Sequence, residues 1–432
     1  MDSSITRAAF SQAVADAAGR LAAAAWSSVV EAGEGAGTDH WMREHGGAFL
    51  REVLGAAWTA RAERLGVTGA CGCGGGYQFR QHRPLQIHTV LAGRDVAVRV
   101  VYGQCDRCRA GVRPLVQDLG VDAEGFTPAL RELGVLASVV EPYEAASSEL
   151  LERFAGVRVS TEKLQALVHG VAPAAAALEP PAPPPAPDEA PLCVAIDGGM
   201  VFVDGRWQEV KLACVFDATG GATPDARPTL LNKQVVAVRG TPEALAERLW
   251  PQVAPLLAEE RLAVVLGDGA PWIWHLAAEV FPHRVEVLDW YHADEHVSAV
   301  ARTLYGDGTP KAAEWRQTQL DRLWADGVDQ VIEGLRFLGA HQRAAAKRDA
   351  VEALQRYLTT NRERMRYQTF RAAGYRIGSG AVESAVSHVV QQRMKRVGMR
   401  WRAAGADAML TLRAVYRSTG AWDRLWRGNR AA

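Results

Sequence analysis

The amino-acid sequence predicts a multidomain α/β protein, and three observations support this prediction. The 432-residue length corresponds to about three folding units at ~100–200 residues per domain. Residues 173–191 contain 8 of the 20 prolines, so we expect an extended linker and a domain boundary there. Downstream of this segment, short apolar runs alternate with helix-like segments, as they do in α/β folds.

The composition excludes several classes of protein. With 48% hydrophobic and 23% charged residues, the chain does not belong to the disordered, collagen-like or coiled-coil classes. No run approaches ~18 uncharged apolar residues, so we expect no transmembrane helix and no membrane partner. The first residues, MDSSITRAAF, lack the apolar core of a signal peptide, and we therefore expect a cytoplasmic protein.

The charge is balanced overall but unevenly distributed along the chain. There are 49 basic and 49 acidic residues, a net charge of zero. Residues 341–432, however, contain 19 Lys and Arg and 6 Asp and Glu, a net charge of +13. This basic part is suited to a phosphate-bearing partner, and the alternative is a set of ordinary solvated helix faces.

The first two predicted units are a helical N-terminal region and a zinc ribbon. Residues 1–66 are alanine-rich and have helical periodicity. Within residues 67–120, apolar and polar residues alternate between Leu85 and Tyr102 around a short Gly-containing loop, which predicts a β-hairpin. A pair of cysteines flanks this hairpin on each side.

These cysteines are Cys71 and Cys73 before the hairpin and Cys105 and Cys108 after it. Four thiolates from two such turns can form a closed tetrahedral site for structural Zn²⁺, although the first pair is one residue tighter than the usual CxxC. Reduced free cysteines and a redox pair are the alternatives. The other two cysteines, Cys193 and Cys214, lie in apolar strands and are predicted to be core residues.

A helix-turn-helix is predicted within residues 121–172. A first helix carrying Leu151 and Phe154 should end at Gly156, and a second should begin at a Ser160 N-cap. Two helices joined by a short Gly-containing turn are typical of DNA-binding modules, and an ordinary helical hairpin is the alternative.

Acidic residues follow two of the strands predicted in residues 192–296. The apolar runs LCVAID, EVKLACVFDAT, RLAVVLGD and VEVLDWYH predict strands, and PWIWHLAAEVF predicts a helix. Asp197 and Asp268 each follow an apolar run and precede a glycine, while Glu383 lies in the first turn of a later helix. Three such carboxylates can converge on a pair of divalent cations, which require oxygen ligands. Taken singly, each acid has the alternative of a helix cap or a surface residue.

Several segments resemble a known family. IDGGMV, LGDGAPWIW, LDWYHADEH, the cysteine-containing YGQCDRCRAGVRPL and, most specifically, GYRIGSGAVESAVSHVVQQRMKRVGMRW look like segments of DDE transposases of bacterial insertion sequences, particularly the ISKra group. The resemblance covers roughly residues 71–426. It implies an RNase H-like mixed-sheet core in residues 192–296 and 373–432, interrupted by a helical insertion over residues 297–372.

The resemblance also implies a catalytic centre. Position by position, Asp197, Asp268 and Glu383 match the triad whose carboxylates hold Mg²⁺ or Mn²⁺. Asp289 and His292 match the D-x-x-H signature of Mutator-like transposases, and we expect them to lie beside the metal ligands. The implied reaction hydrolyses a phosphodiester at each end of an element, and the freed 3′-OH then attacks target DNA in the same site.

The implied partners are double-stranded DNA, at terminal inverted repeats and at a target, and a second copy of the chain. Pairing of two DNA ends requires at least a homodimer, and such a protein would be associated with the nucleoid. The predicted DNA contacts are Arg153, Arg158 and Lys163 in the helix-turn-helix, and Arg393, Lys395, Arg396 and Arg400 after the Glu383 helix.

Two other functions are alternatives to transposition. The first is a domesticated, transposase-derived DNA-binding regulator without transposition activity. The second is a zinc metallopeptidase, because His292-Ala-Asp-Glu-His296 fits the H-x-x-E-H motif. The strand VEVLDW leads directly into this motif, so we expect His292 at a strand–helix junction rather than inside a helix, which disfavours the peptidase.

Overall fold

The computed structural model describes residues 3–31, 41–90, 95–180, 191–219, 229–257, 261–378 and 380–427. The chain divides into two compact units, residues 1–171 with residues 424–432, and residues 172–423. Within the described ranges, none of the helices combines the length and the apolar character needed to cross a membrane.

The first unit begins with helices and a small sheet, as predicted. The elements are α1 (Ser3–Ala25, continued as a π-helical turn over Trp26–Glu31), α2 (Gly47–Leu65, preceded by a π-helical turn over Met42–Gly46), β1 (Tyr77–Ile87), β2 (Val96–Cys105) and β3 (Gly111–Val112). The antiparallel order is β1-β2-β3, and the hairpin register pairs Leu85 with Val98. Helix α2 packs closely on β2, because a Cβ on Gly55 would lie 2.7 Å from the carbonyl oxygen of Ala97. The tip of the predicted hairpin loop, residues 91–94, lies outside the described residues.

Four helices follow β3, and the first of them is short. They are α3 (Pro114–Asp118), α4 (Pro128–Val140), α5 (Tyr143–Ala145, continued in the π form over Ala146–Phe154) and α6 (Thr161–Ala176). The turn between α5 and α6 is as predicted: Gly156 has φ +67°, and the Ser160 hydroxyl accepts the N–H of Lys163 at 3.4 Å. Leu164 is buried and lies against α4, where a Cβ on Gly134 would be 3.3 Å from its Cδ2.

Two details of this region correct the sequence-based predictions. Leu151 and Phe154 lie on the predicted first helix, but Leu151 is buried and Phe154 is 78% exposed, because the π form alters which side chains share a face of the helix. Helix α6 also continues through Pro173 to Ala176, so the helix extends into the segment predicted to be a linker. Alanines surround Pro173, and near a helix end a proline removes only one intrahelical hydrogen bond. Residues 181–190 of that segment lie outside the described residues.

The second unit is built on a five-stranded mixed sheet. Its strands are β4 (Leu192–Val203), β5 (Arg206–Thr219), β6 (Thr229–Arg239), β7 (Ala263–Gly267) and β8 (Arg284–Leu288), in the order β6-β5-β4-β7-β8. The first three strands are antiparallel, and β7 and β8 run parallel to β4. β6 is not among the strands that the sequence predicts, because its apolar pattern is interrupted by Asn232 with φ +53°. The strand predicted over VEVLDWYH is shorter than expected, since β8 ends at Leu288.

Helices cover both faces of this sheet. The helices after β6 are α7 (Pro242–Val253), α8 (Pro271–Val280), α9 (Trp290–Tyr305), α10 (Pro310–Trp324), α11 (Val328–Ala340), α12 (Ala345–Thr360), α13 (Tyr367–Ala372), α14 (Gly380–Val386, continued in the π form over Ser387–Gln391), α15 (Gln392–Met394) and α16 (Ala403–Arg417). A last helix, α17 (Ala421–Arg427), belongs to the first unit from residue 424 onward. Leu192, Val194 and Ile196 of β4 contribute to one core with α7 to α12. On the other side, a Cβ on Gly199 of β4 would lie 3.5 Å from Val386 of α14. The helical segment predicted between residues 297 and 372 is therefore present, although its first helix begins earlier, at Trp290.

Candidate active site

The strand registers bring three aspartates to one level of the sheet. β4 and β7 pair with Leu192 opposite Ala263, which is the 71-residue offset that separates Asp197 from Asp268. β7 and β8 pair with Gly267 opposite Leu288, so Asp268 and Asp289 follow at matching positions. The apolar run predicts that a strand ends at Asp197, and this is wrong, because β4 continues beside β5 to Val203. Instead, Asp197 lies where the parallel neighbour β7 ends.

Local hydrogen bonds hold each carboxylate. The Gly198 N–H donates to Oδ1 of Asp197 at 2.6 Å, and the Ala270 N–H donates to Oδ1 of Asp268 at 2.8 Å. Fully buried Asp289 is the N-cap of α9 and accepts the His292 N–H at 2.8 Å. Because these donors belong to the backbone, the three side chains are oriented by the fold.

Helix α14 brings Glu383 to the same centre. The segment before this helix is attached to the start of α9, where the Trp290 N–H donates to the Ile377 carbonyl at 2.8 Å. One ligating atom each from Asp289, His292 and Glu383 lies within 4.8 Å of the other two. In the part of the chain that the structure describes, the predicted triad of Asp197, Asp268 and Glu383 does not form such a close group.

The pKa of Asp197 is shifted by burial and by the charged groups around it. Burial raises this pKa from 3.8 to about 6, against the hydrogen bond from Gly198, which lowers it. The carboxylates of Asp268 and Glu383 raise it further, and His292 lowers it. The triad acids therefore share one electrostatic centre, with His292 among them.

The two histidines of the H-x-x-E-H segment lie in different environments. His292 is in the first turn of α9, not at a junction outside the helix, and its hydrogen bond to Asp289 raises its pKa to about 9. Burial lowers the pKa of His296, whose ring stacks on Tyr357 with centroids 3.9 Å apart. The close group of ligating atoms includes His292 but not His296.

Replacing Asp197 by asparagine should stabilise the protein in buffer without Mg²⁺ or Mn²⁺. Because the folded-state pKa of about 6 lies above the ordinary 3.8, the folded state binds more protons, and stability falls as the pH rises from about 4 to 6. We expect D197N to gain on the order of 2 kcal/mol in urea unfolding at pH 8. The gain should shrink toward pH 5, and exposed D307N should show none. An equal gain at both pH values would contradict this origin.

Residues outside the motifs also shape the centre. The Tyr357 hydroxyl of α12 donates to the Asp268 carbonyl at 2.9 Å, and burial raises the pKa of this phenol. A Cβ on Gly269, which has φ +100°, would lie 3.0 Å from both Leu288 and Tyr357. No local pattern in the sequence links Tyr357 to Asp268, whereas Asp289 is predicted beside the metal ligands and also follows an apolar run, as Asp268 does.

The four predicted zinc ligands come together in the first unit. The Sγ atoms of Cys71 and Cys108 are 3.5 Å apart, those of Cys73 and Cys105 are 3.6 Å apart, and all four lie within 4.8 Å of one another. These separations exceed the ~2.05 Å of a disulfide and are near the ~3.8 Å edge of a tetrahedron with ~2.3 Å Zn–S bonds. Hydrogen bonds from the Cys73 N–H and from the side chains of Tyr77 and Cys108 lower the pKa of Cys71 to about 6. Against a hydrogen bond from the Ala110 backbone, the neighbouring thiols raise the pKa of Cys108 to about 12, so without a metal the two thiols share their protons unequally. The donor set therefore fits Zn²⁺. Cys193 and Cys214 are buried in strands, as predicted.

The predicted DNA contacts fall into two groups. Arg153, Arg158 and Lys163 have acidic neighbours Glu149, Glu152 and Glu124, respectively, while Lys395, Arg396 and Arg400 are exposed. Arg393 corrects the prediction: it is fully buried, with its guanidinium 5.1 Å from the centre of the buried Trp401 ring. A side chain enclosed in this way packs the core and does not present a charge to DNA.

The comparisons with known proteins all lead to one protein family. The model of an uncharacterised protein family, UPF0236, matches residues 76–430. UPF0236 proteins TTE0402 and TTE2489 of Caldanaerobacter subterraneus subsp. tengcongensis are each 25% identical over 230 residues, which is 50% of this chain and 42% and 45% of the two relatives. A third UPF0236 protein of that organism, whose name joins eleven locus designations, is 26% identical over 188 residues, 40% of this chain and 36% of the relative. The matched segments span less than half the length of these relatives.

Proposed function

This chain belongs to the UPF0236 family of uncharacterised proteins, and we propose that it is a DDE transposase of insertion-sequence type. The observation that carries the proposal is the cluster of acidic residues at the level where strands β7 and β8 end. The charges of Asp268 and Glu383 add to the burial that raises the pKa of Asp197 there, and Asp289 and His292 form a close group with Glu383. Phosphodiester transfer needs such a concentration of oxygen ligands around divalent cations.

The architecture supports an RNase H-like core for this centre. We infer such a core from a mixed sheet in which three antiparallel strands are followed by two strands parallel to the first, in the order β6-β5-β4-β7-β8. The helices α10 to α13 separate the aspartates from Glu383, as the resemblance to DDE transposases implies. In the first unit, the four cysteines support a zinc ribbon, and the turn between α5 and α6 supports a helix-turn-helix.

The name of one relative supports the idea that such genes move to new loci. Its name joins eleven locus designations of a single organism. Recurrence of one protein at many loci is what repeated insertion of an element produces. We extend this from the relative to the present chain as part of the proposal.

In the proposed reaction, the chain positions the cations and the DNA. Asp197, Asp268 and Glu383 would hold Mg²⁺ or Mn²⁺, which activates the attacking oxygen and stabilises the leaving oxygen. Backbone donors keep the carboxylates of Asp197 and Asp268 oriented before DNA arrives. Water adds to phosphorus as the bond to the 3′ oxygen breaks, which leaves a 3′-OH and a 5′-phosphate. That hydroxyl would then attack a phosphorus of target DNA in the same centre, forming a new phosphodiester as the bond to the target's own 3′ oxygen breaks, which leaves a 3′-OH on the target strand. Pairing of two ends requires at least a homodimer.

The exposed basic residues after α15 should contribute to DNA affinity through phosphate contacts. We expect a triple variant with Lys395, Arg396 and Arg400 each replaced by alanine to reduce the slope of log affinity against log salt by about 3, at ~0.9 per phosphate contact. Fluorescence anisotropy on double-stranded DNA between low and moderate salt measures this slope. R343A, which removes an exposed charge between α11 and α12, should leave it nearly unchanged. Equal slopes for the triple variant and the wild type would contradict the assignment.

The proposed function is tested by incubating the purified full chain and Mg²⁺ with DNA that flanks its gene. Strand cleavage that ends in a free 3′-OH, followed by joining to a second DNA, is the expected result. DNA binding without cleavage would favour the regulator. Absence of specific binding to the flanks would overturn both DNA functions, and peptide hydrolysis lost in H296A would favour the peptidase.

A further inference from the structure

Asp289, His292 and Glu383 form a compact set of potential ligands inside the larger acidic centre. Their ligating atoms lie within 4.8 Å of one another. Asp289 and His292 come from the start of α9, and Glu383 comes from α14, so the set joins two separate elements. Two independently positioned elements converge here without Asp197 or Asp268.

Asp289 is placed to orient the imidazole. Its Oδ1 accepts the backbone N–H of His292 at 2.8 Å and lies 3.3 Å from Nδ1 of the same residue. Asp289 is fully buried, so this carboxylate is held by the fold. A carboxylate beside Nδ1 favours the tautomer with its proton on Nδ1, which leaves the Nε2 lone pair available to a metal. Carboxylate–histidine pairs of this kind support metal ligands in many proteins.

The mixed donor set determines which cation suits this position. Mg²⁺ prefers oxygen ligands and retains its waters, whereas Mn²⁺ and later first-row ions also accept an imidazole nitrogen. His296, one turn further along α9, is stacked on Tyr357 and lies outside the group. The nitrogen ligand is therefore His292 alone.

We propose that His292 and Glu383 bind one divalent first-row transition-metal cation, with His292 as its nitrogen ligand and with Asp289 orienting the imidazole. The inference deepens the proposed function and rests on it in one respect, because Glu383 is also a member of the proposed triad. Asp197 and Asp268 then belong mainly to the other cation. His292 would act as a ligand rather than only as a neighbour that positions the acids.

The test uses Mn²⁺ as the probe, added to the full chain with its cysteine site loaded with zinc. Pulsed electron paramagnetic resonance detects ¹⁴N coupling from a nitrogen bonded to Mn²⁺, and titration gives the affinity. We expect the wild type to show imidazole ¹⁴N coupling, and H292Q to lose it. D289N should bind Mn²⁺ about 10–100-fold more weakly, because the ring is no longer oriented. The preference for Mn²⁺ over Mg²⁺ should also fall in H292Q.

H296Q is the matched control, since it removes an imidazole from the same helix and should retain the coupling. Each variant is folded if it retains bound zinc and the far-ultraviolet circular dichroism spectrum of the wild type. Absence of ¹⁴N coupling in the wild type, or its survival in H292Q, would overturn the proposal. In either case, DNA cleavage by the wild type would leave the proposed function standing, so the two failures are distinguishable.

Discussion

Replacing Glu383 by glutamine should reduce DNA strand cleavage by at least about 10³-fold. The carboxylate belongs to both proposed ligand sets, so the change removes a negative charge where cation binding stabilises the transition state. Such stabilisation is worth several kcal/mol, and ~4 kcal/mol corresponds to about 10³ in rate. Because Glu383 is exposed in the first turn of α14 and glutamine has nearly the same volume, the fold should be retained.

The measurement is the single-turnover rate on a labelled DNA end, together with the dissociation constant for the same DNA. E383Q should bind DNA at least as well as the wild type, since it loses a negative charge near the phosphates. E295Q is the matched control: Glu295 is an exposed acid on α9, near enough to raise the pKa of His292, but it lies outside the ligand group. Comparable cleavage by E383Q and the wild type would remove Glu383 from the catalytic centre.

The second large effect is expected at the cysteine cluster. Cys105 is fully buried, and C105S should release Zn²⁺ and unfold the small sheet of β1, β2 and β3. Structural zinc contributes on the order of 10 kcal/mol of apparent folding free energy. A three-stranded sheet has too small a core to offset such a loss. Removing zinc from the wild type with a chelator should have the same effect.

Metal analysis and hydrogen exchange resolve this prediction by region. The wild type should contain one zinc per chain, C105S should contain less, and faster exchange should be confined to the first unit. C214A is the control, because Cys214 is buried in β5 and should retain zinc while losing about 1 kcal/mol to a small cavity. A wild-type chain free of zinc but with protected β1 and β2 amides would show that the cysteines are only reduced thiols.

Local sequence patterns predicted most of the helices and strands, and they also predicted that the four cysteines lie close together. Apolar runs located β4, β5 and β7, and the position of one cysteine pair on each side of a hairpin located the cluster. The 71-residue separation of Asp197 and Asp268 is itself the register offset of two adjacent parallel strands. Periodicity could not place Arg393 or Phe154, because one is enclosed by residues distant in sequence and the other depends on a π-helical shift.

By itself, the sequence determined the order of the modules, the strands that carry the acids and the identity of the charged groups. Only the tertiary structure decided that Asp289 lies level with Asp197 and Asp268, and that Glu383 is closest to Asp289 and His292 as a ligand set. The reason is physical. Hydrophobic periodicity determines local backbone geometry, whereas ligand distances depend on strand register and helix packing between residues 21 to 186 positions apart.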